Sequence, residues 1–312
     1  SELQTFKNAK IIHVSSFCGS LEREYNENFL DFYKYKKQYN AELYLYLMWE
    51  SGGYEQLAPL FDIYDNVVVT NKWLHDELTD FFGDSINVHN IEHIAKYYVK
   101  PATGSTTTFN FGFSGGLWER KKVDVIMKAF NEVKTTNDRL KIHTRKHANT
   151  ATMINAFIKE FTKYQTGEQG SMQFVNETLP DAEFVKWWDT LNCYVFVSAG
   201  ESYSVTPRQA LMQGTPVILS KNTSHLDLLD VPGILWVECD EKHTAKYSGN
   251  ADLGTEIGTQ FEPRVEDVIT CMREVRDNYS HWKAEAIKGG EIVRERTSPE
   301  NIAKQWRQVL CK

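Results

Sequence analysis

The chain has no Cys-x-x-Cys pair: its five cysteines, Cys18, Cys193, Cys239, Cys271 and Cys311, are scattered with no histidine at ligand spacing. That pattern excludes a zinc ribbon and a disulfide scaffold and is expected of reduced thiols in a cytoplasmic protein. Long apolar runs are also missing. The stretch 193–199 is among the longest and falls far short of the roughly 20 residues that cross a bilayer, and the first residues, Ser-Glu-Leu-Gln-Thr-Phe-Lys, contain no signal-peptide core. Excess positive charge is absent too: the formal net charge is -7, so no global field draws in nucleic acid or an anionic membrane. No Asp-x-Asp pair offers a divalent metal a site, and none is expected.

What remains is ordinary globular material, 312 residues of which 41% are hydrophobic, enough for two domains. Short β-branched or aromatic runs alternate with helix-length segments. Residues 10–14, 42–48, 66–70 and 86–89 read as strands of a first α/β layer. Residues 98–108, with Pro101, Gly104 and a Ser/Thr run, read as a linker. Alternation resumes with strands at 108–113, 140–144, 171–175, 194–198, 216–219 and 234–237. Ser298-Pro299-Glu300 supplies a cap, a first-turn proline and an early acid, so a last helix is expected over Pro299–Leu310. The expected division is therefore 1–100, 101–297 and a terminal helix within 298–312 that packs back on the first domain.

Chemistry concentrates at strand ends of the second half, where parallel sheets bind ligands. In Phe111-Gly-Phe-Ser-Gly-Gly-Leu-Trp-Glu-Arg-Lys-Lys-Val-Asp124, Gly115 and Gly116 admit a ligand close to the backbone, and Arg120, Lys121 and Lys122 set cations beside it, as a diphosphate requires. In Val197-Ser-Ala-Gly-Glu-Ser-Tyr-Ser-Val-Thr-Pro-Arg-Gln-Ala210, a buried strand runs into a turn with Glu201. A helix then opens near Thr206 and Pro207, so free amides of Ser204, Val205 and Thr206 form an anion site. A carboxylate so placed suits sugar hydroxyls. The polar loop Ser220-Lys-Asn-Thr-Ser-His225 ends the next strand, and His143-Thr-Arg145-Lys-His147 is a further basic cluster. Near the start, Phe32-Tyr-Lys-Tyr-Lys-Lys-Gln-Tyr39 reads as an amphipathic helix with solvated lysines.

These segments together resemble the donor-binding domain of the metal-independent, retaining glycosyltransferases of the GT-B class (family 4-like, group 1). The resemblance is carried by Gly115 to Leu117, Lys121 to Asp124, Ser198, Glu201, Ala210 and Gly214-Thr-Pro-Val217, in the family's order and spacing, and covers about residues 109–237. It implies two Rossmann-like domains facing across a cleft, with the amino-terminal one reduced. It also implies transfer from a nucleotide-sugar donor to an acceptor hydroxyl of a glycan, without a cofactor and with retention. By the same resemblance Lys121 and Arg120 neutralise the diphosphate, the amides of Ser204, Val205 and Thr206 hold the distal phosphate, Glu201 holds sugar hydroxyls, and the base lies near Phe174 and Val175. His13 is a candidate for the family's sugar-contacting histidine, and Arg145 and Arg208 are further candidates near the phosphates.

Two departures stand out. Gln209 replaces the family's second glutamate, and Gly116 stands where many members carry arginine. They keep a second class open, a nucleotide-sugar or glycan binding protein without turnover. A sugar phosphorylase or nucleotide-sugar epimerase is a third class, and a DNA base is a less favoured acceptor.

Overall fold

A computed structural model describes residues 10–16, 30–50, 63–95, 102–146, 148–164, 171–246 and 256–311. The first sheet has four parallel strands, β1 (Lys10–Ser16), β2 (Glu42–Met48), β3 (Asn66–Val69) and β4 (Asn87–Asn90), side by side in chain order. Helices α1 (Leu30–Tyr39) and α2 (Lys72–Phe82) accompany it. Val67, Val68 and Val69 are all fully buried, which explains a strand written as an unbroken apolar run: both faces of a parallel sheet are covered. In α1, Lys36 reaches Asp65 at 2.7 Å and so braces the first sheet.

The second sheet comprises β5 (Phe109–Ser114), β6 (Asp138–Thr144), β7 (Met172–Asn176), β8 (Cys193–Phe196), β9 (Val217–Ser220) and β10 (Ile234–Val237), in the order β10-β9-β8-β5-β6-β7, all parallel. Helices α3 (Val123–Val133), α4 (Ala151–Tyr164), α5 (Asp181–Asp189) and α6 (Val205–Met212) connect its strands. The chain winds outward from β5 through β7, then returns to the other side of β5 with β8. A topological switch point therefore lies between β5 and β8, where the loops leave in opposite directions and open a crevice. Both the Gly115-Gly116 turn and the loop carrying Glu201 rise from that point.

Three features lie outside this alternation. An antiparallel pair, β11 (Cys239–Lys246) and β12 (Glu256–Pro263), follows β10. Helices α7 (Val265–Asp277) and α8 (Tyr279–Arg296) close the second core, and α9 (Pro299–Leu310) leaves it. Ser298 caps α9, its hydroxyl accepting from the Asn301 amide at 3.2 Å. Ile302, Trp306, Val309 and Leu310 of α9 pack on Tyr44, Tyr46, Val68 and Ile91 of the first domain. Replacing Ile302, which is buried, with alanine is expected to cost about 2–3 kcal/mol, read as a lower urea midpoint with an unchanged slope.

The carboxyl edges of the two sheets face each other. Thr70 and Asn71, just past β3, donate to the Ser202 carbonyl at 2.8 and 2.6 Å, and the Lys72 amide donates to the Asp227 carboxylate at 3.0 Å. Asn71 does two jobs, since its Oδ1 also caps α2 by accepting from the Leu74 amide at 2.7 Å.

Candidate active site

At the switch point, a single turn of 3-10 helix over Glu119–Lys121 carries the two cations. Its backbone is tied to the opposing loop: the Arg120 carbonyl accepts from the Ala199 amide at 2.7 Å and from the Ser198 hydroxyl at 3.1 Å. The side chains then converge. Arg120 Nη1 meets Glu201 Oε1 at 2.5 Å and donates to the Gly200 carbonyl at 2.8 Å, and Lys121 Nζ pairs with the same Glu201 oxygen. Lys121 also stands over the Phe196 ring, 4.8 Å from its centroid.

A fourth charge comes from the first domain. Glu50, two residues beyond β2, pairs with Arg120 Nε at 2.9 Å. No motif marks Glu50 in the sequence; only the facing of the two sheets brings it here. At Gly200 the domains touch so closely that a Cβ there would collide with the Glu50 carbonyl oxygen, which accounts for a glycine beside the acid.

These charges perturb one another in a dry setting. Burial alone would push the Glu201 carboxyl up, but Arg120 and Lys121 outweigh it and hold it down at about 2. Burial raises the Glu50 carboxyl, with Arg120 opposing and Glu201 adding to the rise. Burial and the adjacent Arg120 lower the Lys121 ammonium. Two cations and two acids thus nearly cancel, an arrangement able to exchange a carboxylate partner for a phosphate.

Ser204 enters α6 in the left-handed region, with φ 62°, and its hydroxyl meets His225 Nε2 at 2.8 Å. His225 Nδ1 lies 2.8 Å from the Ser220 carbonyl, which can only accept, so Nδ1 carries the proton and Nε2 accepts from Ser204. The polar loop after β9 is therefore the support that braces the α6 entry, where the first helical amides, Val205 and Thr206, have no partner within the helix. Full burial lowers the His225 imidazole to about 4. Because the folded state refuses a proton that the unfolded chain accepts below 6.5, His225 withdraws stability as pH falls from 6.5 toward 4. At ~1.4 kcal/mol per pH unit this reaches about 3 kcal/mol. His225→Gln is expected to be less stable than the parent at pH 7, with the gap narrowing by pH 5 in urea titrations.

The remaining candidates fall in different places. Gly115 and Gly116 sit on the turn after β5, which is held by the Gly115 amide on the His143 carbonyl at 3.1 Å and by Tyr194, whose hydroxyl donates to the Ser114 carbonyl at 2.9 Å. A side chain at Gly116 would meet the Trp118 ring at 2.5 Å, so an arginine there would have to displace it. Arg208 is fully buried, stacked on Tyr203 at 3.8 Å, and donates to the Tyr203 and Ser204 carbonyls; it stiffens the α6 entry from beneath. Gln209 is buried in α6. Phe174 and Val175 lie on β7, the far edge of the sheet, and the Phe174 ring packs against Phe157, 4.5 Å between centroids. Arg145 is exposed beyond β6, while His143 is buried between the Ser114 hydroxyl and the Glu177 carbonyl, 2.9 and 3.0 Å away. His147 lies outside the described residues. On β1, His13 is engaged by the Tyr64 hydroxyl at 2.5 Å. Among the described residues, no three His, Cys, Asp or Glu side chains gather as a metal site.

Two Rossmann-like domains with opposed carboxyl edges define the GT-B fold. Compared by sequence, the chain matches no protein-family model and no curated protein. Compared by structure, it is similar to sucrose-phosphate synthase from Thermosynechococcus elongatus, with TM-score 0.68, 15% identity, 94% of this chain and 81% of that one. It is similar to TarM of S. aureus, solved with fondaparinux, alpha-GlcNAc-glycerol and UDP, with TM-score 0.66, 14% identity and 96% of this chain; it spans 55% of that protein's length. It is also similar to HepE of Anabaena in complex with UDP, with TM-score 0.67, 10% identity, and 89% and 74% of the two chains.

Proposed function

We propose that this protein transfers a glycosyl group from a nucleoside diphosphate sugar, with uridine as the base, to an acceptor hydroxyl, with retention and without a metal. The observation that carries the proposal is the convergence of Arg120, Lys121 and Glu201 beside the α6 entry at the switch point. The choice of uridine draws on the UDP bound to HepE and TarM. In this reading the bond from the sugar's anomeric carbon to the phosphate oxygen breaks, and its electron pair goes to the phosphate. Arg120, Lys121 and the α6 amides receive that charge in this reading, the two cations giving up part of their pairing with Glu201 and Glu50. Glu201 accepts from sugar hydroxyls. The acceptor oxygen bonds to the anomeric carbon from the face the phosphate leaves, and its proton passes to the departing phosphate. A cytoplasmic setting belongs to the proposal; it is consistent with the free thiols Cys193, Cys239, Cys271 and Cys311, and among the described residues no helix is long and apolar enough to cross a membrane. The acceptor is a glycan hydroxyl in this reading.

Thermal shift with UDP, GDP and ADP tests the binding step. A nucleotide at 100 times its Kd should add about 2.7 kcal/mol, and UDP should act at the lowest concentration. No shift with any of the three at millimolar levels would remove the reading. Glu50 offers a second check. As a carboxylate competing with phosphate for Arg120, it should oppose binding, so Glu50→Gln is expected to tighten UDP on the order of tenfold by calorimetry. The rival reading, binding without turnover, draws on Gln209 standing where the family has its second acid. Release of UDP from UDP-glucose decides between them.

A further inference from the structure

The β11-β12 pair packs on the loop after β8 and on the basic turn. Phe261 on β12 donates its amide to the Ala199 carbonyl at 2.8 Å, which joins the hairpin to the loop that carries Glu201. One residue on, Glu262 pairs with Lys122 at 2.5 Å, at the end of the basic turn. Side chains two apart on a strand share a face, so Gln260 looks the same way as Glu262, toward the cluster. Its Cγ lies 3.9 Å from where a Cβ of Gly200 would stand, at the point where Glu50 of the first domain closes in. Gln260 is 3% exposed, and its Nε2 has no hydrogen-bond partner among the described residues.

A buried amide with an unused donor destabilises the fold, and folded proteins keep few of them. Other unused groups, Trp188 Nε1 and Arg208 Nε and Nη2 among them, lie within the second domain. Gln260 is instead at the meeting point of both domains and the hairpin. The chemistry of the place selects the partner: the Glu50 and Glu201 carboxylates belong to the cluster that meets at Gly200, and a hydroxyl can accept from the amide and donate to a carboxylate. We propose that Gln260 is a sugar-reading residue, whose side-chain amide donates to a hydroxyl of the transferred sugar while Glu50 or Glu201 accepts from it. The inference rests on the donor-site reading above. It makes the hairpin, which lies outside the Rossmann alternation, the part of the chain that sets which sugar is carried.

The test is calorimetric titration of the full chain with UDP and with UDP-glucose, UDP-galactose and UDP-GlcNAc, for the parent, Gln260→Met and Gln260→Glu. Both replacements keep the length of the side chain and remove its donors. The expected result is that in Gln260→Met the preferred UDP-sugar loses about tenfold in affinity and the spread among the three sugars narrows, while UDP itself moves less than twofold; in Gln260→Glu the added carboxylate weakens UDP as well, and the UDP-sugar still loses more than UDP does. Equal losses for UDP and UDP-sugar, or no change in the sugar preference of correctly folded variants, would overturn the role of Gln260. Failure of the parent to bind UDP would overturn the donor-site reading and the inference with it.

Discussion

Arg120→Met is expected to lower the rate of UDP release from a UDP-sugar by about 10²–10³-fold, the usual consequence of removing one fixed donor to a developing negative charge. The magnitude is large because Arg120 is the hub of the cluster: its Nε holds Glu50, its Nη1 holds Glu201, and its carbonyl anchors the Ser198-Ala199 segment. Methionine preserves the carbonyl and the aliphatic stem but leaves Glu201 with Lys121 alone and Glu50 without its cation. Glu50, already raised by burial, loses the cation that opposed the rise and is more readily protonated, which limits the damage to stability. Kinetics and melting should therefore separate, with a small change in Tm and a large one in kcat. A rate within tenfold of the parent would mean that Arg120 does not touch the leaving group.

Gly290→Ala carries a large expected effect on stability, and its sign is opposite to that of helix propensity. Alanine in the middle of α8 should gain about 1 kcal/mol over glycine. Here the added Cβ would collide with the Leu211 carbonyl oxygen and reach Met212 Cα at 3.1 Å, because Gly289 and Gly290 let α8 lie directly on α6 and on the turn at Pro232. Both obstacles are backbone, so neither can swing aside, and overpacking of this kind costs typically 1–3 kcal/mol, here at the upper end. A net loss of about 2 kcal/mol in urea unfolding is expected. A stabilised variant would show that α8 can lift without penalty. Because α6 carries the amides proposed to hold the phosphate, the same variant should weaken UDP binding as well.

Much of this architecture was legible in the chain. Val67, Val68 and Val69, like Val217, Ile218 and Leu219, are buried on both faces, so apolar runs bounded by turn residues announced the parallel strands. Ser298 and Pro299 announced the last helix. Arg120, Lys121 and Glu201 could be paired on paper because each follows a strand at the same sheet edge. The hairpin was not legible: Cys239–Lys246 reads Cys-Asp-Glu-Lys-His-Thr-Ala-Lys, without alternation, and is held as strand by its partner rather than by propensity. Glu50 and Gln260 carry no motif, and their proximity to Gly200 depends on domain and hairpin packing at long sequence separation. The left-handed Ser204 was hidden as well, since serine gives no sign of a conformation that His225 enforces from another loop.

The crossing of α9 gives the molecule an order of assembly. Strands β1 to β4 are made before the second sheet, yet the apolar face formed by Tyr44, Tyr46, Val68 and Ile91 meets Ile302 and Trp306 only after that sheet has been made. The earlier-made of the two sheets is thus the later completed, since the face that α9 covers waits for that helix.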